Sequence, residues 1–350
     1  MRLRFLLFLL LAAMAAYGIF WWRLAGDAKD AAAAFLERLD ERGVTAKVAA
    51  IDSGGFPYRL ALTLRDLHLR SAASTPPFAL AAERVAIFTH PWTPDHFVAG
   101  TTTVSGSLGR WVYEAASARA SWLRTPHDVR MDSDLRQLAL GASDDDDSPV
   151  TVERAQIHVR IPMGAGDEDA GPLLAERADI ALRLDGIILD EIGAGAPEGR
   201  IAHVDLRLEV HGALAFPPTA DGLAAWRDAG GTLEITGIDV DWGPVRVTGS
   251  GSLALDEAFR PLGALALHVA RPDLLIAYLV RQGVIAPGTA AAARQLAETR
   301  ARSNGKGGGT LPLSLQEGQL LLDTLPIAAL APLVSGDTLT PSRRERRRTR

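Results

Sequence analysis

The chain has 350 residues, 47% of them apolar, and a formal net charge of −5, enough for one large or two ordinary domains with a real core. It contains no cysteine, which excludes disulfides, thiolate metal sites, iron–sulfur clusters and cysteine nucleophiles. Charge is unevenly spread: Arg343 to Arg350 holds six Arg and one Glu, leaving −10 on the rest, and an acidic body is a poor nucleic-acid binder.

The first element is an uncharged apolar run from Phe5 to Trp22, with Arg2 and Arg4 before it and Arg23 after it. As a helix it reaches about 27 Å, close to the hydrocarbon thickness of a bilayer. Tyr17, Trp21 and Trp22 lie toward its far end, where amphipathic rings favour the headgroup layer. Residues 1–23 are therefore expected to be a single-pass anchor that includes Phe5, Leu10, Tyr17, Trp21 and Trp22. The leading arginines place the N-terminus in the cytoplasm and the remaining chain outside. The competing reading is a signal peptide cleaved at Ala13-Met14-Ala15, but the apolar run continues past that point.

A second helix is expected over Asp27 to Arg42, capped by Asp27 or Asp30, with Phe35, Leu36 and Leu39 on its apolar face and Gly43 ending it. Beyond Gly43 the period is two. Tyr58, Leu60, Leu62 and Leu64 alternate with polar or small residues, as do Ile180, Leu182 and Leu184, and Val204, Leu206, Leu208 and Val210. Such alternation marks antiparallel strands with one buried and one wet face. The apolar phase shifts by one residue at Arg65-Asp66 and at Thr236-Gly237, which predicts β-bulges and hence long, bent strands. Trp242-Gly243-Pro244 turns one strand into the next, where Gly249 and Gly251 occupy inward positions. Leu311 to Leu315 and Gln319 to Asp323 read as a further hairpin. Pro272 to Gln282 and Thr289 to Ser303 read as helices, followed by a glycine-rich connector.

The expected architecture is mainly β within an α+β class: an N-terminal transmembrane helix, then long, curved antiparallel sheets with a few packing helices. The expected division is a β-rich subdomain with its leading helix over 24–143 and an acidic linker over 144–149. A second β-rich subdomain spans 150–333, with helices near 272–303, and a disordered basic tail spans 334–350.

Catalytic patterns fail on spacing. His90 and His96 flank two prolines and read as a strand connection rather than a zinc motif. Asp144 to Asp147 lacks the spaced ligands of a calcium loop. Ser303-Asn304-Gly305-Lys306 matches Ser-x-x-Lys without the accompanying motifs of serine β-lactam enzymes. The remaining histidines, including His68, His158, His203 and His268, show no evident partners. No enzyme activity, cofactor or metal is expected.

Gly55-Phe56-Pro57-Tyr58-Arg59, opening a long strand after an N-terminal anchor and helix, resembles a known family pattern. Trp242-Gly243-Pro244 followed by Gly249, Gly251 and Asp256, and the late Gly318-x-Leu320-x-Leu322 hairpin, belong to the same pattern. The chain resembles the uncharacterised proteobacterial family called domain of unknown function 2125 from about Trp21 to Leu333. That family has no established activity, so the resemblance supplies no catalytic residue. Its layout is similar to AsmA-like envelope proteins, which implies an inner-membrane anchor, a periplasmic β-rich body and a role in lipid handling or envelope assembly.

The expected function is therefore lipid binding along an apolar β-groove, with Leu60, Leu62, Leu182, Leu206, Leu208 and Val247 facing it. The expected partners are the bilayer, with a lipid ligand or envelope proteins, and not nucleic acid. The alternative is a periplasmic scaffold with a filled core and no ligand.

Overall fold

A computed structural model describes residues 2–142, 150–163, 174–189, 197–215, 218–303 and 308–333. The acidic stretch 144–149, most of the glycine connector and the arginine tail lie outside the described residues.

Helix α1 runs unbroken over Arg2–Glu41. The apolar run and the expected second helix are thus one rod of about 60 Å, and neither Asp27 nor Asp30 caps a helix start. Between the two segments lie Arg23 to Gly26, and even Gly26 stays helical. A mid-helix glycine costs only about 1 kcal/mol against alanine, too little to break a helix supported on both sides. The apolar stretch is exposed along most of its length and meets the body only toward its end, where Trp21 is half-buried. From Ala25 onward the helix changes role. Ala25 is buried, and Ala28, Ala32 and Leu36, three or four residues apart, pack on Leu62, Leu64 and Leu67. Gly43, at φ +77°, ends the rod as a left-handed cap, and Val44 N–H donates to Leu39 O at 2.9 Å.

The body is an antiparallel meander. Strands β1 (Thr45–Lys47) and β2 (Ala50–Gly54) both pair with β3 (Leu60–Ser71), as one interrupted edge. β3 pairs with β4 (Phe78–His90). β5 (Thr93–Thr101) and β6 (Val104–Leu108) again form one interrupted strand, lying between β4 and β7 (Trp111–Arg124). From there β8 (Asp128–Ala142), β9 (Val150–Pro162), β10 (Leu174–Ile188) and β11 (Arg200–Ala215) each pair with the next. The succession continues through β12 (Thr232–Trp242), β13 (Val245–Leu255), β14 (Pro261–Ala270), β15 (Gly308–Gln316), β16 (Gln319–Leu322) and β17 (Leu325–Ala329). The strands flanking the acidic stretch pair with each other from Asp128↔Pro162 to Leu140↔Val150, so the sheet runs through that point without interruption.

One expected bulge is present: the β12–β13 register shifts between Ile235 and Ile238, which re-phases the strand and adds twist. At Asp66, φ +51°, the strand kinks, but Glu83 opposite is skipped with it and the β3–β4 register is unchanged, so no residue is inserted there. Gln137, at φ +50°, is a similar kink opposite β7 without a register change. Neighbouring strands rotate by about 20–25°, so the seven steps from β3 to β11 amount to roughly 140–175°. The turned sheet then meets itself. Ser74, after β3, bridges to Thr219, and Thr75 N–H donates to Pro218 O at 2.7 Å.

Three short helices complete the body. α2 (Ala220–Asp228) is capped by the Thr219 hydroxyl and packs Trp226 on β11, its indole N–H donating to His211 O at 2.8 Å. α3 (Pro272–Arg281) and α4 (Pro287–Ser303) pair with each other. They bury Trp242, Val245, Val247, Val269 and Leu311 beneath Ile276, Ala293 and Ala297.

The turn between β7 and β8 is held by Asp128, a buried carboxylate. It accepts from the Thr125 hydroxyl at 2.7 Å and from Arg160 and Arg130 at 2.8 and 3.0 Å. These bonds, the Thr125 one first, hold its carboxyl far below the ordinary range against the opposing effect of burial. A depressed carboxyl stabilises the fold above its ordinary value of about 4 and loses that contribution as pH falls further. Asp128→Asn is expected to cost about 2 kcal/mol, the scale of hydrogen bonds to charged groups. Thermal melts in detergent should show the gap between variant and wild type at pH 7, narrowing below pH 4.

Candidate functional site

Because every strand stays in phase, one face of the sheet is apolar throughout. One register row runs Leu62, Ile87, Ala99, Ala120, Ser133, Ile157, Leu182, Leu206, Ile238, Gly249, Leu267 and Leu311, across twelve paired strands. The row beside it runs Phe97, Trp122, Met131, Val159, Ile180, Leu208 and Ile235. Toward the opposite strand ends, Val104, Ala115, Leu138, Val152 and Ile187 form a closed core.

Among the described residues helices cover this face at its two sides. α1 covers β3, and α3 with α4 cover β13 to β16. Between them the two rows remain accessible: Phe97 is 39% and Ile157 38% exposed, and Leu182, Leu206 and Leu208 are half-buried. These three lie in the uncovered part. Leu60, Leu62 and Val247 share the face but sit buried beneath the helices. Phe97, Trp122, Met131, Ile157, Ile180 and Ile238 complete the uncovered lining, and only strand pairing brings them to it. The signal available in sequence was alternation on β8 and β9, weakened there by Ser133 and by the interleaved charges.

Gly249 and Gly251 sit where a side chain would meet the neighbouring strand. A Cβ at Gly249 would stand 2.5 Å from Ala266 O and 2.6 Å from Leu267 Cδ2. The other motif residues make turns. Trp242 packs edge-on against Tyr278 at 4.7 Å and donates to Glu198 O at 2.7 Å. Gly243, at φ +57°, and Pro244 close the β12–β13 turn. Asp256 accepts from Ala258 and Arg260 N–H and pairs with the Arg260 guanidinium at 2.8 Å, shaping the β13–β14 turn.

The turn Gly55-Phe56-Pro57-Tyr58-Arg59 does more than open β3. Gly55, at φ +97°, accepts from Arg59 N–H at 3.1 Å. Phe56 lies between Tyr17 and Trp21 of α1, with ring centroids at 6.1 and 5.5 Å. The Tyr17 hydroxyl donates to Pro57 O, and Trp21 Nε1 donates to Arg59 O at 3.4 Å. Below this contact Phe5, Leu10 and Phe20 are exposed, as is Trp22. By length and composition α1 can cross a membrane, compatible with a single-pass anchor or a signal sequence.

The opposite face is a ladder of opposed charges. Arg154 grips Asp134 through two bonds of 3.0 and 2.8 Å, Arg177 pairs with Asp179 and Glu209, Arg183 pairs with Asp185, and Arg246 reaches Asp239 and Asp241. Two histidines expected to lack partners have them: His158 Nδ1 lies 2.6 Å from Asp132, and His203 Nε2 lies 3.8 Å from Asp239. A depression of about 450 Å³ opens among Arg130, His158, Arg160, Arg207, Asp179 and Glu209. Its volume is that of a small-molecule site, but Arg130 and Arg160 are already held by Asp128 and His158 by Asp132. Among the described residues no group of three or more His, Asp or Glu side chains is placed to hold a metal ion. His90 stacks on Trp92 at 5.1 Å in the β4–β5 turn, and His96 lies within β5. The apolar face, by contrast, is covered by α1 at one side and by α3 and α4 at the other, and its middle rows stay accessible.

A family model described as "Uncharacterized protein conserved in bacteria (DUF2125)" matches residues 21–331. No curated protein and no solved structure matches the chain.

Gly249→Val should destabilise the body by about 1–3 kcal/mol, the cost of overpacking. Ser250→Val, on the exposed face, serves as the control and should change little. Chemical unfolding of both variants in detergent checks the difference.

Proposed function

The chain belongs to the DUF2125 family, and we propose that it is a membrane-anchored protein that binds lipid acyl chains along the uncovered part of its apolar sheet face. An N-terminal apolar helix joined to a β-rich body fits a membrane-anchored protein. The finer reading places α1 in the cell inner membrane, with Arg2 and Arg4 on the cytoplasmic side and the body in the periplasm. The AsmA-like layout is part of the same reading.

The observation that carries it is the pair of apolar rows between α1 and the α3–α4 pair, with no helix over them among the described residues. Exposed contiguous apolar surface of this extent marks a binding surface. Strands lie about 4.8 Å apart, so the six steps from β5 to β12 span about 29 Å. One leaflet of a bilayer is about half the 30 Å hydrocarbon thickness, so an acyl chain fits lengthwise along a row. Leucine and isoleucine side chains give such a chain no directional partner, which suits recognition of hydrocarbon rather than of a particular headgroup. The role proposed is binding or handling, not catalysis.

Native mass spectrometry of the full chain, released from mild detergent, tests this. Phospholipid is expected to remain bound. Leu182→Asn with Leu206→Asn should reduce it at least about tenfold, since each buried leucine contributes roughly 1.5–3 kcal/mol and 1.4 kcal/mol is a factor of ten. Lipid held around α1 would survive the double substitution. Wild type without bound lipid, or a folded double variant carrying as much as wild type, overturns the reading.

A further inference from the structure

We infer that the body has its own seat in the bilayer besides α1: an aromatic foot of Phe56 and Tyr58 in the β2–β3 turn and Trp92 in the β4–β5 turn, set in the lipid headgroup layer. This rests on the reading of α1 as a membrane anchor. Turn tips are ordinarily polar, yet here Phe56 is 56%, Tyr58 77% and Trp92 64% exposed. The two turns lie side by side. Phe56 touches Tyr17 and Trp21 of α1. Tyr58 O lies 3.4 Å from His90 Nδ1, and His90 stacks on Trp92 at an interplanar angle of 13°. Arg59 places its guanidinium 4.9 Å above the Phe88 ring. Phe56 thus ties the β2–β3 turn to the aromatic end of the apolar helix, and the β4–β5 turn adjoins it.

Level decides the occupant. Trp21 is bonded to Arg59 O, at the start of β3, while Thr45, just past the end of α1, pairs with Arg70 near the end of β3. β3 thus runs alongside the second half of α1 in the same direction. Its first residues sit at the height of Tyr17 and Trp21, where the helix leaves the hydrocarbon. Its last residues lie about 40 Å further along. At the lower level, tyrosine and tryptophan rings partition into the headgroup layer, their apolar bodies toward the chains and their polar tips toward water. Arg59, His90 and the turn carbonyls supply polar groups at the same depth. The foot also fixes which end of the apolar face meets the lipid. Phe97 and Trp122 lie in the uncovered row nearest the β4–β5 turn, so the rows begin beside the bilayer.

The absence of native cysteine allows a single-thiol test on the full chain. Tyr58→Cys, Thr93→Cys and Ala72→Cys, each carrying a nitroxide, are placed in phosphatidylethanolamine–phosphatidylglycerol vesicles. Collision rates with oxygen and with a water-soluble nickel chelate are then read by electron paramagnetic resonance. Labels at 58 and 93 are expected to be several-fold less accessible to the chelate, relative to oxygen, than the label at 72. Thr93→Cys leaves every foot aromatic in place, so the readout survives if Tyr58→Cys disturbs its turn. Labels at 93 as open to the chelate as those at 72 overturn the foot. Because bound lipid is read separately by mass, a chain that keeps its lipid while label 93 stays in water loses the foot alone. A chain with a seated foot and no bound lipid loses only the groove.

Discussion

The structure depends on one constraint: side chains alternate along a strand with a period of two, and a slip of one residue would exchange the two faces. Strands as long as these, twisted through so many steps, cannot keep that phase unaided. Paired kinks at Asp66 and Gln137 and the bulge at Thr236-Gly237 absorb the mismatch and return the leucines, isoleucines and valines to the same side. The result is a sheet with a continuous apolar face and a continuous charged face, and the remaining features follow from which parts of the apolar face are covered.

Coverage is unequal because the helices differ in what they can bring. α1 lays alanines at 25, 28 and 32 against β3, and small side chains let the rod sit close to Leu62 and Leu64. α3 and α4 do the same at the far side with Ala293 and Ala297. The strands between have no helix of their own among the described residues. Their apolar rows are closed only toward one end, by the core around Leu138 and Val152. An apolar surface left open in this way lies beside a helix that can cross a membrane, and the proposed lipid binding rests on that combination.

The charged face pairs many of its groups across neighbouring strands. Facing positions hold opposed charges, as His158 and Asp132 do. Exposed pairs of this kind contribute little to stability individually. Their effect is to keep that face wet and to discourage association with other sheets. Asp128 differs because it is buried and gathers two arginines at one turn, tying β7, β8 and β9 together where the chain reverses.

Much of this was legible in the residues themselves. The apolar run Phe5 to Trp22 fixed a helix that can cross a membrane, alternation fixed the strands, and phase shifts located one kink and one bulge, because each of these is local chemistry repeated along the chain. The turn motifs at Gly55 and Trp242 were legible for the same reason. What depends on residues distant in sequence was not. Nothing local says that Gly26 would let two helices run on as one, that His158 would find Asp132, or that Leu60 and Val247 would be covered while Leu182 and Leu206 stay accessible. Those outcomes belong to tertiary structure: strand register and accumulated twist decide which side chains share a row and which helix reaches them, and no single segment carries that information.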